Sequence, residues 1–139
     1  MSNAIWYTPA LTCRDCGHTT PPRESRLRSA ALNPDPSDRW VTPGDLLDVG
    51  LLDLADAFEP SALWPPGPTV RALEAWTCPG CRTTQVALVI FADESDAGWR
   101  LVSVESVPMT LELLDGVHCV SQGLRDTMYP EQLARLSPR

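Results

Sequence analysis

Two Cys-x-x-Cys pairs that lie far apart in sequence constrain this 139-residue chain more than any other feature. The first pair joins Cys13 to Cys16, and the second joins Cys78 to Cys81. A Cys-x-x-Cys turn brings two sulfur atoms to one ion, and a structural zinc ion takes four such ligands in a tetrahedron. The sequence therefore predicts one structural Zn²⁺ bound by Cys13, Cys16, Cys78 and Cys81.

The residues around the two pairs indicate what kind of site this is. A strand-like segment precedes each pair, and a glycine lies in it or just after it (Gly17 and Gly80), so the chain resembles a zinc ribbon. In that family two knuckles at the ends of β-hairpins close over one metal ion. The matching part is small, about residues 11–18 and 76–85. Between the two pairs lie 61 residues, where the simple pattern has roughly 15 to 20, and we expect them to form an insertion.

Two other chemistries suit the same cysteines. Four thiolates in a tetrahedral array also bind iron. In addition, Trp76-Thr77-Cys78-Pro79-Gly80-Cys81 resembles the active turn of thioredoxin, and this resemblance implies thiol–disulfide exchange through Cys78 and Cys81. In that family the turn opens a helix, which lowers the pKa of the thiol. Here the residues up to Phe91 favour a strand, and Gly and Pro stand in the opposite order, so the sequence favours the metal.

The charge distribution bears on the choice of partner. The formal charge is −7, all 11 basic residues are arginines, and residues 33–68 carry seven acids against one arginine. An acidic middle repels nucleic-acid phosphates and suits a basic partner. We therefore expect a protein–protein interaction module with a basic protein as its partner. A second hypothesis, a nucleic-acid-associated zinc ribbon, depends on the cationic cluster beside the first knuckle: Arg14, Arg23, Arg26 and Arg28.

The sequence offers little for catalysis. His18 and His118 have no evident catalytic partner, and a four-thiolate zinc ion has no open position for substrate or water, so we predict that the protein is not an enzyme. No apolar run reaches the roughly 18 to 20 residues that cross a bilayer, and the N-terminus lacks signal-peptide character. Five cysteines, four of them in Cys-x-x-Cys pairs, favour a reducing compartment. We expect a cytoplasmic protein without a membrane partner.

The apolar pattern predicts an α+β fold, mainly antiparallel β, in a single domain over residues 1–139. Its parts would be the first knuckle and its strands (1–32), an acidic helix with Pro-rich loops (33–68), the second knuckle with a C-terminal β-meander (69–121), and a tail (122–139) with a helix from Pro130 to Leu136. Strands are predicted at Val70–Thr77, Gln85–Phe91 and Trp99–Val107, and the apolar run from Val86 to Phe91 indicates a strand covered on both faces.

Two further elements are predicted from local signals. Thr42 as a cap, Pro43 at the first helical position and Asp45 near the N-terminus predict a helix that continues to Phe58. Alternating apolar residues over 109–113 predict a strand, and Asp115-Gly116 is a strong hairpin signal. That hairpin would place His118 on one face with Leu111, Leu113 and Val120. His118 and Cys119 are interpreted as core residues, since adjacent strand residues point to opposite faces, and His18 is expected to face water.

Overall fold

The structure, a computed structural model, describes residues 4–30, 39–48 and 52–137. In those ranges the chain forms nine strands, four short α-helices and one 3₁₀ turn at Ser95–Ala97. The strands are β1 (Ala4–Tyr7), β2 (Arg28–Ala30), β3 (Arg39–Val41), β4 (Leu46–Asp48), β5 (Phe58–Pro60), β6 (Thr69–Thr77), β7 (Thr84–Asp93), β8 (Gly98–Val107) and β9 (Cys119–Ser121). The helices are α1 (Leu54–Ala57), α2 (Leu111–Leu114), α3 (Gln122–Arg125) and α4 (Pro130–Leu136).

The described strands form two sheets. A three-stranded sheet has the order β2-β1-β3, and a six-stranded sheet has the order β4-β8-β7-β6-β9-β5. The β1–β3 and β6–β9 pairs are parallel, and the other pairs are antiparallel. The predicted α+β class with mainly antiparallel strands is therefore confirmed. The three long strands predicted from the apolar pattern form the β6-β7-β8 meander.

The six-stranded sheet is covered on both faces, as the apolar run in β7 predicted. Ala87, Val89 and Phe91 belong to a core that the three-stranded sheet covers, whereas Val86 and Leu88 belong to a second core that α2, α3 and α4 cover. Successive strand residues point to opposite faces, so a strand between two cores needs apolar residues at nearly every position. Fully burying one such side chain contributes about 2 kcal/mol.

The predicted acidic helix from Thr42 to Phe58 is wrong. Residues 42–45 form a turn instead, in which the Asp45 carboxylate accepts a hydrogen bond from the Thr42 backbone N–H (2.8 Å). Gly44 has a φ of +101°, which a right-handed helix does not allow. Residues 46–48 then pair with β8 as strand β4, and of the described residues in the predicted range only Leu54–Ala57 is helical. Residues 49–51 of the predicted helix lie outside the described residues.

The predicted strand over residues 109–113 and the hairpin at Asp115-Gly116 are also wrong. Thr110 caps helix α2 by accepting a hydrogen bond from the Leu113 backbone N–H (3.1 Å). The helix ends at Leu114, and the N–H of the following residue, Asp115, donates to the Leu111 carbonyl (3.2 Å). The alternation of apolar and polar residues favours a strand here, but the Thr110 cap and the burial of Leu114 favour the helix more strongly. One helical turn places Leu111, Leu113 and Leu114 against the second core. The predicted C-terminal meander therefore stops at Val107.

His118 consequently does not share a strand face with Leu111 and Leu113. Its backbone N–H donates to the Arg71 carbonyl (2.9 Å), and its Nδ1 accepts a hydrogen bond from the Arg71 backbone N–H (3.0 Å). Cys119 follows in β9, fully buried beside Ala72 of β6.

The predicted insertion between the knuckles contributes to the sheets. β3, β4 and β5 all come from residues 33–68, and β4 and β5 form the two edges of the six-stranded sheet. The closing helix at Pro130–Leu136 is confirmed as α4. Within the described ranges, no helix is long and apolar enough to span a membrane.

Candidate metal centre

The two Cys-x-x-Cys segments fold into turns with the same hydrogen bonds. In the first knuckle, the Cys13 N–H donates to the His18 carbonyl (2.8 Å), and the Cys13 carbonyl accepts a hydrogen bond from the Gly17 N–H (3.1 Å). In the second knuckle, the Cys78 N–H donates to the Thr83 carbonyl (3.1 Å), and the Cys78 carbonyl accepts a hydrogen bond from the Arg82 N–H (2.8 Å). Gly17 and Arg82 both have positive φ, 78° and 63°. A threonine pair closes each turn at equivalent positions, Thr12 with Thr19 and Thr77 with Thr84.

These turns bring the four predicted cysteines together. The four Sγ atoms all lie within 4.8 Å of one another. Across the two knuckles, Cys13 Sγ lies 3.6 Å from Cys81 Sγ, and Cys16 Sγ lies 3.6 Å from Cys78 Sγ. Cys13 and Cys78 are buried, Cys81 is partly buried and Cys16 is exposed, and all four are free thiols. The four sulfurs could hold one metal ion at the edge of the core.

Backbone amides face the sulfurs and favour thiolates. Cys13 Sγ accepts from the N–H groups of Asp15 (3.3 Å) and Cys16 (3.4 Å), and Cys78 Sγ accepts from Gly80 (3.3 Å). Desolvation raises the pKa of the Cys13 thiol, but backbone hydrogen bonds from Cys16 and Asp15, together with side-chain hydrogen bonds to Cys81 and Cys16, lower it overall to about 6. A hydrogen bond from His18 lowers the pKa of Cys16, but desolvation and the three neighbouring sulfurs raise it overall to about 12. A cation bound among the sulfurs would neutralise the repulsion between neighbouring thiolates, so that all four thiols could ionise.

A glutamine that the sequence analysis missed joins the two knuckles. Gln85 is buried at the start of β7. Its Oε1 accepts a hydrogen bond from the Arg14 backbone N–H (3.0 Å), and its Nε2 donates to Asp15 Oδ2 (3.1 Å) and to Thr83 Oγ1 (2.9 Å). Thr83 Oγ1 in turn lies 3.0 Å from Cys81 Sγ. Gln85 thus fixes the relative position of the two turns. In the sequence, the one signal for this role is its place as a polar residue directly before the apolar run that starts at Val86.

The second knuckle does not have the surroundings of a thioredoxin-like turn. The chain leaves Cys81 through the turn at Arg82 and enters strand β7 at Thr84. No helix N-terminus among the described residues follows this pair, so the helix-dipole effect that lowers a thiol pKa in such turns is absent. His18 is exposed and packs beside Gly80, where an added Cβ would lie 3.4 Å from the His18 Cβ and Cγ.

Three of the four predicted arginines lie around a pair of tryptophans. The Trp6 and Trp40 rings stack with centroids 5.8 Å apart. The Arg28 guanidinium lies over Trp6 (5.3 Å), and the Arg23 guanidinium lies over Trp40 (5.6 Å). A groove of about 610 Å³, which we call the Trp/Arg groove, adjoins this stack. It is lined by Trp6, Trp40, Pro21, Pro79, Arg23, Arg26 and Glu24. Arg14 lies apart from them, in the first knuckle.

A buried carboxylate is the second polar feature that the sequence analysis missed. Glu74 lies on the face of β6 that the three-stranded sheet covers, and it is 7% exposed. Its Oε2 accepts a hydrogen bond from Ser29 Oγ (2.7 Å), and Ser29 Oγ lies 2.7 Å from the Tyr7 hydroxyl. Because Ser29 has one hydroxyl proton and donates it to Glu74, Tyr7 must donate to Ser29. The chain of hydroxyls ties the two sheets together.

We expect Glu74 to make stability fall as the pH rises. Burial raises the pKa of the Glu74 carboxyl to about 7, although hydrogen bonds from Ser121, Ser29 and Ala75 and the charge of Arg28 lower it. The folded state therefore holds this proton more tightly than the unfolded chain. The resulting stability is fully present below the ordinary glutamate pKa and is lost as the pH rises through about 7, a change on the order of 3 kcal/mol.

The variant Glu74→Gln should remove this pH dependence and be more stable than the wild type at pH 8. Urea unfolding of both proteins between pH 5 and pH 8 measures it, and the difference between them cancels the contribution of the thiols. Parallel stability curves over this range would contradict the expectation.

No protein-family model, curated protein or solved structure matches this chain. What the cysteine cluster can do chemically therefore has to be inferred from its own geometry.

Proposed function

We propose that this protein is a non-catalytic, cytoplasmic interaction module whose fold is held by one structural Zn²⁺ on Cys13, Cys16, Cys78 and Cys81. The observation that carries this proposal is the sulfur spacing. Tetrahedral zinc with Zn–S distances of about 2.3 Å places its ligands about 3.8 Å apart, close to the 3.6 Å between sulfurs of the two knuckles. Zinc is preferred over iron because such sites bind Zn²⁺ more tightly than Fe²⁺.

The metal would stabilise the fold by joining the three-stranded sheet to the six-stranded sheet. The first knuckle belongs to the chain that forms the three-stranded sheet, whereas the second lies between β6 and β7 of the six-stranded sheet. Binding energy at such a site appears as folding energy, because the unfolded chain has no preformed site. Four protein ligands leave no position for substrate or water, which supports a structural rather than a catalytic role.

Acidic residues at the other end of the six-stranded sheet support a basic protein as the partner. β7 leaves the second knuckle and ends ten residues later at Asp93, which corresponds to about 30 Å. Asp93, Glu94 and Asp96 surround the turn between β7 and β8, and Asp48 pairs with Gly98 beside it. We call this region the acidic end. Arg100 pairs with Glu94, whereas the carboxylate of Asp96 is exposed.

Capture experiments with the zinc-loaded protein test the partner. We expect a protein of net positive charge to bind at low salt and to be lost at high salt, since exposed charges are screened. The double variant Asp93→Asn/Asp96→Asn should weaken this capture severalfold, whereas Glu112→Gln, an exposed acid on α2, should not. Capture that is insensitive to salt and to the double variant would count against a basic partner at the acidic end.

The Trp/Arg groove favours a second candidate function, binding of single-stranded nucleic acid. The exposed Trp40 ring, the half-buried Trp6 ring and the arginines lie together in this groove. Aromatic rings and arginines are the combination that such proteins use for bases and phosphates. Arg23 and Arg26 both have positive φ, 68° and 60°, a conformation that costs about 1 kcal/mol or more for a residue with a side chain. The ion pairs given for the described part of the chain, Arg100–Glu94 and Arg135–Asp115, involve neither Arg23 nor Arg26. The charges of Arg23 and Arg26 are therefore available to a phosphate.

Fluorescence anisotropy with a labelled single-stranded oligonucleotide tests this candidate. We expect Trp40→Ala to weaken binding about tenfold through the loss of stacking. Arg23→Asn/Arg26→Asn should reduce the salt slope by about 1.4, about 0.7 for each phosphate contact, because Asn tolerates positive φ while removing the charge. Arg125→Gln, outside the groove, is the control. Absence of binding at low salt, or equal effects of all three changes, would exclude a nucleic-acid site in this groove.

A further inference from the structure

A cavity of about 270 Å³ lies where the three-stranded sheet meets β6, β9 and the start of α3. Glu74 and Ser29 lie on its polar side, together with Ser121 and Arg28. Its apolar wall is made of small residues, Ala4, Ala30 and Ala57, which leave room for a short aliphatic chain. This cavity is separate from the cysteine cluster and from the Trp/Arg groove.

The carboxylate in this cavity is held in place by hydroxyl groups. Ser29 donates to Glu74 Oε2 at 2.7 Å and is itself oriented by Tyr7. The Ser121 Oγ accepts a hydrogen bond from the Leu124 N–H (3.3 Å) as the cap of α3, so its proton remains to be donated to Glu74. A carboxylate has about four acceptor positions. Ser29, Ser121 and the Ala75 N–H occupy three of them, which leaves about one for a ligand in the cavity.

Among the described residues, Glu74 makes no ion pair. Arg28 lines the same cavity, and its charge lowers the pKa of Glu74, but its guanidinium lies over the Trp6 ring (5.3 Å). A buried carboxylate without an ion pair destabilises a fold, and for Glu74 the cost of burial outweighs the effect of Arg28. Glu74→Gln would avoid that cost with the same shape. A group that lowers stability and faces a cavity is typical of a binding site. A direct ion-pair partner for Glu74 cannot be a lysine of this chain, because the sequence contains none.

We propose that this cavity binds an alkylammonium group, with Glu74 as the counter-charge and the alanine wall around the aliphatic stem. An ammonium group donates three hydrogen bonds from a compact centre, which suits a single carboxylate flanked by the serine hydroxyls. The group has two sources, a lysine side chain of a protein partner or a free small amine. The lysine source rests on the proposed protein-binding function, whereas the ammonium site does not.

The test uses the zinc-loaded full-length protein, labelled with ¹³C at the alanine methyl groups, at pH 8. Ala30 and Ala57 line the cavity, so their methyl resonances report on its occupation. We expect saturable shifts with n-butylamine and none with n-butanol, its neutral counterpart. Glu74→Gln should weaken binding about tenfold or more, as loss of a hydrogen bond to a charged group does. Glu112→Gln, an exposed acid on α2, should bind like the wild type.

Two lysine derivatives separate the sources. Binding of N-acetyl-lysinamide, lost when its side-chain amine is acetylated, would assign the cavity to a partner's lysine. Binding of n-butylamine without N-acetyl-lysinamide would assign it to a free amine and would leave the ammonium site standing even if the proposed partner is wrong. Absence of saturable shifts, equal binding of butanol, or wild-type binding by Glu74→Gln would overturn the proposal.

Discussion

Replacing Cys78 with serine is expected to leave a protein that neither retains zinc nor unfolds cooperatively. Cys78 is fully buried, and its sulfur lies 3.6 Å from Cys16 Sγ across the two knuckles. A serine hydroxyl is not deprotonated at neutral pH and does not replace a thiolate. Structural zinc contributes about 10–16 kcal/mol in small zinc-binding peptides, as much as the whole stability of a typical domain, about 5–15 kcal/mol. Even partial loss of that contribution should abolish the folded state.

The matched control for this variant is Cys119→Ala. Cys119 is equally buried, lies in β9 and is not part of the sulfur cluster. Its replacement should cost on the order of 1 kcal/mol of packing and leave the zinc content unchanged. Elemental analysis and urea unfolding of both variants measure the difference. If the Cys78→Ser protein unfolds cooperatively near the wild-type midpoint, the metal does not hold the fold.

Gly98→Ala should be the most damaging single change outside the cysteine cluster. Gly98 opens β8 with a φ of +127°, and an added Cβ would lie 2.2 Å from the Leu47 carbonyl oxygen and 2.8 Å from the Asp48 Cα. Both are backbone atoms of β4, which cannot rotate away as a side chain would. Strain and clash together should destabilise the protein by about 4 kcal/mol. The β4–β8 pair and the acidic end beside it would then be disordered first.

Gly67→Ala is the control for the Gly98 variant. An added Cβ at Gly67 has nothing within 4 Å, so its effect should stay within about 0.5 kcal/mol. Urea unfolding at constant pH gives both values. A Gly98→Ala protein as stable as the Gly67→Ala protein would show that β4 does not pack against β8 as closely as described.

The parts of the fold that could be predicted are those with local signals. The two knuckles are short turns whose residues carry their own hydrogen bonds, so Cys-x-x-Cys spacing was sufficient to place the four sulfurs together. β7 was predictable because a doubly covered strand needs an unbroken apolar run. The closing helix α4 was predictable from Pro130 at its first position.

The two wrong elements are places where tertiary pairing outweighs local preference. Leu47 fits the apolar face of a helix and Asp48 its opposite face, but residues 46–48 fit a strand as well, and pairing with β8 decides for the strand. Asp115-Gly116 favours a hairpin only if strands flank it, and here Thr110 starts a helix instead. A single sequence contains no information on which partner strand is present, so this choice was not predictable.

The polar contacts that join the sheets were not predictable for the same reason. Gln85 meets Arg14 across 71 residues of sequence, and Ser29 meets Glu74 across 45. Nothing in the residues next to Glu74 shows that a serine of another sheet lies against it. The cavity beside Glu74 and the Trp/Arg groove are therefore findings of the structure, whereas the cluster of four cysteines was already predicted by the sequence.

The central claim, a structural zinc ion on the four cysteines, is tested most directly by metal content. The protein is purified without added metal, its bound metals are measured by elemental analysis, and its reactive thiols are counted before and after a chelator is added. We predict one zinc per chain, with Cys13, Cys16, Cys78 and Cys81 unreactive until chelation. A folded protein without metal, in which Cys78 and Cys81 form a reversible disulfide, would contradict the structural-zinc account and favour redox chemistry.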